Sequence, residues 1–356
     1  GDLFDGQTDL DFNAGWNDKG MLREKLSFDF FRDAGVPHCE AHMARVHTNG
    51  GDFHGAYFTI EDPSTEYLRR NGWDEDGPLY KCFTAMWDGS TGGYEPRTDS
   101  ALERLPEVGA FGAQLSSANG QALVDFLGEK LDVEEVIDYQ AVQAIITDLD
   151  SVTKNWLLYL GPHGREQAGP DRFAIFPWDL DLSWGQMRLT TDVRSHVEHP
   201  LLHTQTYPFT DQGYHGIINA LLERAPDDYY VKAHYGRIWT LLEEKFHPDV
   251  LFPELDRYGE ATIGSVTEDL AKWPRTWGSR GTDPGYWRQD LRDWARRRFD
   301  YLSEFLLGNN PTTRGRTFQY VPHPRLKFTE IQYNPFEDEG LEFLEICSLE
   351  ETPVDV

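Results

Sequence analysis

Apolar positions along this chain change period several times, and each change marks an element. Met21, Leu22, Leu26, Phe30 and Phe31 recur at three-to-four spacing, predicting a helix that Gly35-Val36-Pro37 stops. Two β-like runs follow, Ala44 to Thr48 and Ala56 to Glu61, and Asn49-Gly50-Gly51 between them signals a hairpin. Asp62-Pro63 offers a cap and a first-turn proline for a short helix ending near Asn71-Gly72, and Leu79 to Phe83 reads as a brief strand. Residues 1–20, rich in Gly, Asp and Asn, read as an irregular lead-in.

Residues 84–118 carry little periodicity and much Gly, Ser, Thr and Pro, so they read as a long loop or a connection between lobes. Asp132-Val133-Glu134-Glu135 opens a helix in capping-box style, with an apolar stripe through Val136, Ile137, Ala141, Ala144 and Ile145. It runs into Asp148-Leu149-Asp150. Trp156 to Leu160 and Phe173 to Phe176 then predict a hairpin with a long polar tip. Past a polar stretch from Thr190 to Thr210 the pattern turns helical, over about 216–224, 227–245, 248–272 and 284–307. After Asn309-Asn310-Pro311 it alternates as β structure.

Composition narrows the class. With 356 residues, 39% hydrophobic and 13% aromatic, the chain has material for a large core in one bilobal unit or two domains. No apolar run reaches the roughly 18 residues of a membrane-spanning helix. Lys and Arg number 33 against 61 Asp and Glu, a net charge of −28, which disfavours binding to nucleic acid. Such acidity reads as a solvated surface, with a sink for divalent cations as the other reading. Cys39, Cys82 and Cys347 lack zinc-ligand spacing; one bridge with a free thiol, or three thiols, both fit.

The informative chemistry is Asp150-Ser151-Val152-Thr153-Lys154-Asn155, followed across the hairpin by Pro177-Trp178-Asp179-Leu180-Asp181. A helix end delivers Asp150, a short loop separates it from Asn155, and a strand end delivers Asp179. Phosphoryl transfer needs such a set: one Asp to orient the attacking hydroxyl, an Asn and an Asp to hold a metal on the nucleotide phosphates. Oxygen ligation suits a hard cation, Mg²⁺ or Mn²⁺. The plainer reading makes these residues turn caps. His196, His199 and His203 are divided by Pro200, which weakens any shared metal site. Trp273, Trp277, Trp287 and Trp294 read as helix packing, and Arg292, Arg296, Arg297 and Arg298 as a solvated face.

Met21-Leu22-Arg23-Glu24-Lys25-Leu26 with Asp33-Ala34-Gly35-Val36-Pro37, Gly55 to Glu61, Gly77 to Lys81, Asp150 to Tyr159 and Phe176 to Gly185 together resemble the CotH family of spore-coat-type kinases, most specifically in the string PWDLDLSWG. The resemblance implies an α+β, atypical bilobal protein-kinase-like fold with a small N-terminal lobe and a mainly helical C-terminal lobe. It also implies ATP with Mg²⁺ as cofactors, and a secreted or surface protein as substrate, the chain itself included. By position Asp150 is then the catalytic Asp and Asn155 a metal ligand. Asp179 becomes the metal-binding Asp, with Asp181 assisting. On the nucleotide side, Lys81 is a phosphate contact or a surface lysine, and Glu61 an adenine neighbour or a cap. Arg23 and Lys25 are phosphate-orienting or part of a solvated helix face.

Departures from ordinary kinases are plain: no His-Arg precedes Asp150, no Gly follows Asp179-Leu180, and Asp88 to Gly93 reads as a flexible loop rather than a phosphate loop. An Arg-Gly and a Lys-Lys-Ser element expected upstream of the first helix are not seen. Phe328 to Pro335, Glu342 to Ile346 and Thr352 to Val356 resemble the opening strands of a lamin-tail sandwich. The expectation is an interior piece of a larger secreted protein: a kinase-like domain over 1–308 (small lobe about 1–83, large lobe about 119–308), a linker over 309–325, and an incomplete lamin-tail domain over 326–356. A non-catalytic scaffold of the same fold is the alternative.

Overall fold

The computed structural model describes residues 9–86, 88–148, 150–152, 154–163, 169–186, 197–198, 215–226, 228–274 and 283–307, with short strands at 312–313, 316–317, 326–332 and 343–348. In chain order the elements to residue 96 are β1 (Leu10–Asn13), α1 (Arg23–Asp33), β2 (Ala41–His47), β3 (Phe53–Glu61), α2 (Thr65–Arg70), β4 (Leu79–Cys82) and β5 (Tyr94–Pro96). Then come α3 (Ala101–Ser117), α4 (Gly120–Lys130), α5 (Val133–Ile146), β6 (Trp156–Gly161) and β7 (Arg172–Pro177). The helices α6 (Gly216–Asn219), α7 (Asp228–Leu241), α8 (Pro248–Lys272) and α9 (Pro284–Leu307) follow where the sequence places them. Of the tail, β8 (Thr312–Thr313) pairs with β9 (Arg316–Thr317), and β10 (Leu326–Gln332) pairs antiparallel with β11 (Phe343–Ser348).

The hairpin of β2 and β3 forms as expected, with Gly51 at φ +84 in its turn. The lead-in is not irregular throughout: β1 pairs antiparallel with β3, giving the order β1-β3-β2. Its Phe12 is exposed, so no buried alternation marks the strand, and backbone pairing to β3 alone defines it. Helix α8 packs on this sheet: Asp269 Oδ1 accepts from Ala56 N–H at 2.9 Å, and Trp273 Nε1 donates to His54 O at 2.6 Å.

A second, four-stranded sheet has the order β5-β4-β6-β7. Strand β4, from the expected small lobe, is thus hydrogen-bonded to β6, from the expected large lobe, through Tyr80↔Leu158 and Cys82↔Trp156. One hydrophobic core runs from Met21 to Leu306 and takes in residues from both expected lobes.

The expected loop at 84–118 is corrected by the structure, because 17 of its residues form α3. Pro106 inside the helix and glycines at close approaches disguised it. A Cβ on Gly112 would lie 2.2 Å from Asp88 O, and one on Gly89 would lie 2.9 Å from Ala113 Cβ. The Asp88–Gly93 segment is therefore packed against this helix. Cys39 and Cys82 are buried free thiols. Trp287 and Trp294 are buried, whereas Trp273 is partly exposed. Trp277 and the His196, His199 and His203 trio lie outside the described residues.

The arginine cluster on α9 is not wholly solvated. Arg298 is fully buried and donates to Ala144 O at 2.6 Å, Ile145 O at 3.3 Å and Val197 O at 2.5 Å. Carbonyls in the last turn of a helix lack partners within it, and a cation there also complements its dipole. Arg298 thereby anchors the end of α5, from which Asp148 and Asp150 emerge.

Candidate active site

Helix α5 is started by Asp132, whose side chain accepts from Glu135 N–H, and ended by Thr147 in the left-handed region at φ +51. One turn of 3₁₀ helix, Asp150–Val152, then carries Asp150 forward. The β6–β7 hairpin ends with Trp156 opposite Pro177, so Asn155 and Trp178-Asp179 leave its same end. Asn155 N–H donates to Cys82 O at 3.1 Å, which ties this end to β4.

Non-glycine backbone at positive φ gathers here: Thr147, Asn155, Asp179 and Trp184 adopt it at +51, +63, +56 and +55. Asn and Asp tolerate that region, whereas a β-branched Thr and a bulky Trp do so only where packing enforces it. The enforcement is visible. Trp184 N–H donates to Ile146 O at 2.6 Å and its Nε1 to Ser27 Oγ at 2.8 Å, while Gly185 N–H donates to Thr147 Oγ1 at 3.2 Å. Ser183 Oγ lies 2.9 Å from Ser27 Oγ. Residues 179–185 are thereby clamped between α1 and the end of α5.

Gly185 is at φ +76, and a Cβ there would lie 2.3 Å from Trp294 Nε1. Gly185→Ala is expected to cost about 2–4 kcal/mol in urea unfolding, from left-handed strain plus a clash with a buried ring. An unchanged midpoint would mean that the segment is not held as described.

Within this frame Asp150 Oδ2 accepts from Lys154 Nζ at 2.7 Å and from Asn155 Nδ2 at 2.8 Å. Asp179 is half-buried. Desolvation raises its pKa, Lys154 and Lys81 counter the rise, and Asp150 adds to it. Asp181 is pushed up to about 7, first by burial and then by Asp179, with a hydrogen bond from Asn17 Nδ2 at 2.8 Å opposing. Glu24 on α1 is buried and held well above the usual carboxylate range by desolvation and by Asp181, Asp179 and Asp18. Asp148 is raised well above its ordinary value by burial, then by Asp150 and Asp179. Carboxylates from four segments therefore press on one another around Asp179.

The structure brings Asp150, Asn155, Asp179, Asp181 and Lys81 into one neighbourhood. Lys81 Nζ sits 4.5 Å over the Trp178 ring, which holds it beside Asp179. The other expected residues have partners elsewhere. Glu61, nearly fully buried, accepts from Arg70 Nη2 at 2.6 Å and Glu40 N–H at 3.1 Å, tying β3 to α2. Lys25 pairs with Asp29 and lies 5.2 Å over the Tyr258 ring. Arg23 bridges to Asp18 at 3.0 Å, and Asp18 also accepts from Leu22 N–H at 2.6 Å.

Arg23 and Lys25 are both buried, so the solvated-face reading of that helix is overturned. A helix packed on more than one side shows this only once its neighbours are known. Two guanidinium nitrogens of Arg23, Nε and Nη2, have no hydrogen-bond partner among the described residues. Sequence reasoning passed over Lys154, Glu24 and Asp148. Lys154 stands between Asp150 and Asn155, Glu24 within the run Met21 to Leu26, and Asp148 two positions before Asp150, but only burial near Asp179 singles out Glu24 and Asp148, and a local pattern does not record it.

Among the described residues no three His, Cys, Asp or Glu side chains are drawn together closely enough to hold a metal ion. The chemistry of the set nevertheless fits a hard cation: the donors are oxygens, and the raised carboxylates are crowded by like charge that a divalent ion would relieve.

A family model described as CotH kinase protein matches residues 1–302. The chain is also similar to inner spore coat protein H of Bacillus subtilis (strain 168), 26% identical over 199 residues, which are 51% of this chain and 52% of the relative. The match thus spans about half the length of that curated relative.

Proposed function

We propose, from the premise that this chain belongs to the CotH kinase protein family, that it transfers the γ-phosphoryl group of ATP to a Ser or Thr hydroxyl of a secreted or surface protein. The observation that carries this reading is the meeting of Asp150, Asn155 and Asp179, from a helix end, a strand start and a strand end, beside Lys81 and Lys154. A relative named as a spore coat protein supports placing the activity outside the cytoplasm.

A divalent cation arriving with ATP supplies neutralisation of charge on the phosphates. Asn155, whose Nδ2 is given to Asp150, would hold it through Oδ1, together with Asp179 and Asp181. Lys154 and Asn155 fix one oxygen of Asp150, which leaves the other to accept the proton of an attacking hydroxyl. The two buried nitrogens of Arg23 without a partner among the described residues are suited to phosphate oxygens, and Lys81 adds positive charge next to Asp179. Lys25 and Glu61 have structural partners and would act on nucleotide only indirectly.

The test is incubation of the whole chain with radiolabelled ATP, Mg²⁺ and a protein acceptor. Label on protein that disappears with EDTA is expected; absence of both label and calorimetric ATP binding would leave a kinase-like scaffold. Lys154→Met is expected to lower kcat about 10²-fold, since it removes one of the two donors that hold Asp150, and a positioned proton acceptor is worth at least that much. An unchanged kcat would remove Lys154 from the site.

A further inference from the structure

Residues 10–17 were expected to be an irregular lead-in, yet two of their amides reach into the acidic neighbourhood. Asn17 Nδ2 donates to Asp181 Oδ2 at 2.8 Å across 164 positions of sequence, and Asn13 Nδ2 donates to Glu24 Oε2 at 2.9 Å. Asn13 is itself fixed, since its Oδ1 accepts from Gly15 N–H at 2.9 Å, and its backbone stands in β1 opposite Phe58. We infer that Asn13 and Asn17 are positioning residues, which hold Glu24 and Asp181 in the orientation that lets Asp181 take a divalent cation beside Asp179. This rests on the reading of Asp179 and Asp181 as cation ligands.

The physical reason lies in the sign of the local charge. Asp181 and Glu24 face Asp179 and Asp18, so a further carboxylate would add repulsion and an ammonium would compete with the cation. A neutral amide avoids both. It donates to one oxygen of Asp181, fixes the rotation of the carboxylate and leaves the second oxygen for the ion. Partners of this kind behind a metal ligand typically change metal affinity about 10- to 100-fold. Asn17 is only half-buried and lies outside the helices and strands, so its replacement leaves the core intact.

Mn²⁺ binding to the whole chain, followed by titration calorimetry without nucleotide, tests this apart from turnover. Asn17→Ala and Asn17→Leu, the second keeping bulk while removing the donor, are each expected to weaken Mn²⁺ about 10-fold. Their melting temperatures in EDTA should match that of the native chain. Asn13→Ala, acting through Glu24, is expected to weaken Mn²⁺ by a smaller factor. Native affinity in both Asn17 variants overturns the inference while leaving the cation site standing. A native chain that takes up no Mn²⁺ overturns the cation-ligand reading, and the inference with it.

Discussion

Asp179→Ala is expected to reduce phosphoryl transfer at least about 10³-fold, and Asp150→Ala by about 10²- to 10⁴-fold, the usual contribution of a positioned proton acceptor. The two losses should differ in kind. Asp179 leaves a strand end at φ +56 and is pressed by Asp150 on one side while Lys81 and Lys154 ease it on the other. If it is a cation ligand as proposed, its removal should raise the KM for Mg²⁺-ATP along with the fall in kcat. Asp150 is bonded to Lys154 and Asn155, and removing it should spare nucleotide binding and lower kcat alone. The double variant should be little worse than the poorer single one, because the two act as a unit. Label transfer that persists in both single variants would end the assignment.

In the absence of divalent cations, the protein is expected to lose stability as pH rises from about 4 to 7, and Mg²⁺ is expected to restore it at the upper end. The sign follows from Asp181. Its folded pKa, about 7, stands above the ordinary 3.8, so between these values the folded state binds more protons than the unfolded one. Stability therefore falls as pH rises through this window, and the penalty is complete above about 7. Moving a carboxyl from 3.8 to about 7 corresponds to about 4 kcal/mol at the limit.

Glu24 and Asp148, also raised, act in the same direction. Glu40, held well below the usual range by hydrogen bonds from His38 and His42, acts oppositely, and only in more acid solution. Urea unfolding at pH 5 and pH 8 should show a smaller decline for Asp181→Asn than for the native chain. Cation binding displaces the proton, so Mg²⁺ should stabilise the native chain strongly at pH 8 and weakly at pH 5. An identical pH dependence in native and variant chains would remove Asp181 as the source.

Several elements were legible because their signals are local. Asn49-Gly50-Gly51 reports a hairpin without knowledge of the rest of the molecule, and Asp132 followed by Glu135 reports a helix start. The helix α3 was not legible, because its glycines are there for Asp88 and Gly89, which approach it from outside its own sequence window. Strand β1 was hidden for a related reason, since its partner lies some 50 residues further along. In sequence Arg298 is indistinguishable from its neighbouring surface arginines, and only the carbonyls of Ala144 and Ile145, which come from far along the chain, set it apart.

The sequence by itself determined the local setting of the candidate residues: an Asp after a helix, an Asn before a strand, and an Asp just after the next strand, each set by periodicity and turn residues within a few positions. Only the tertiary structure decided their company. Asp18, Glu24 and Asn17 come to Asp181, and Lys81 comes to Asp179, through contacts between distant segments. Burial and Coulomb interaction depend on distance in space, and no local pattern records how far a chain has folded back on itself.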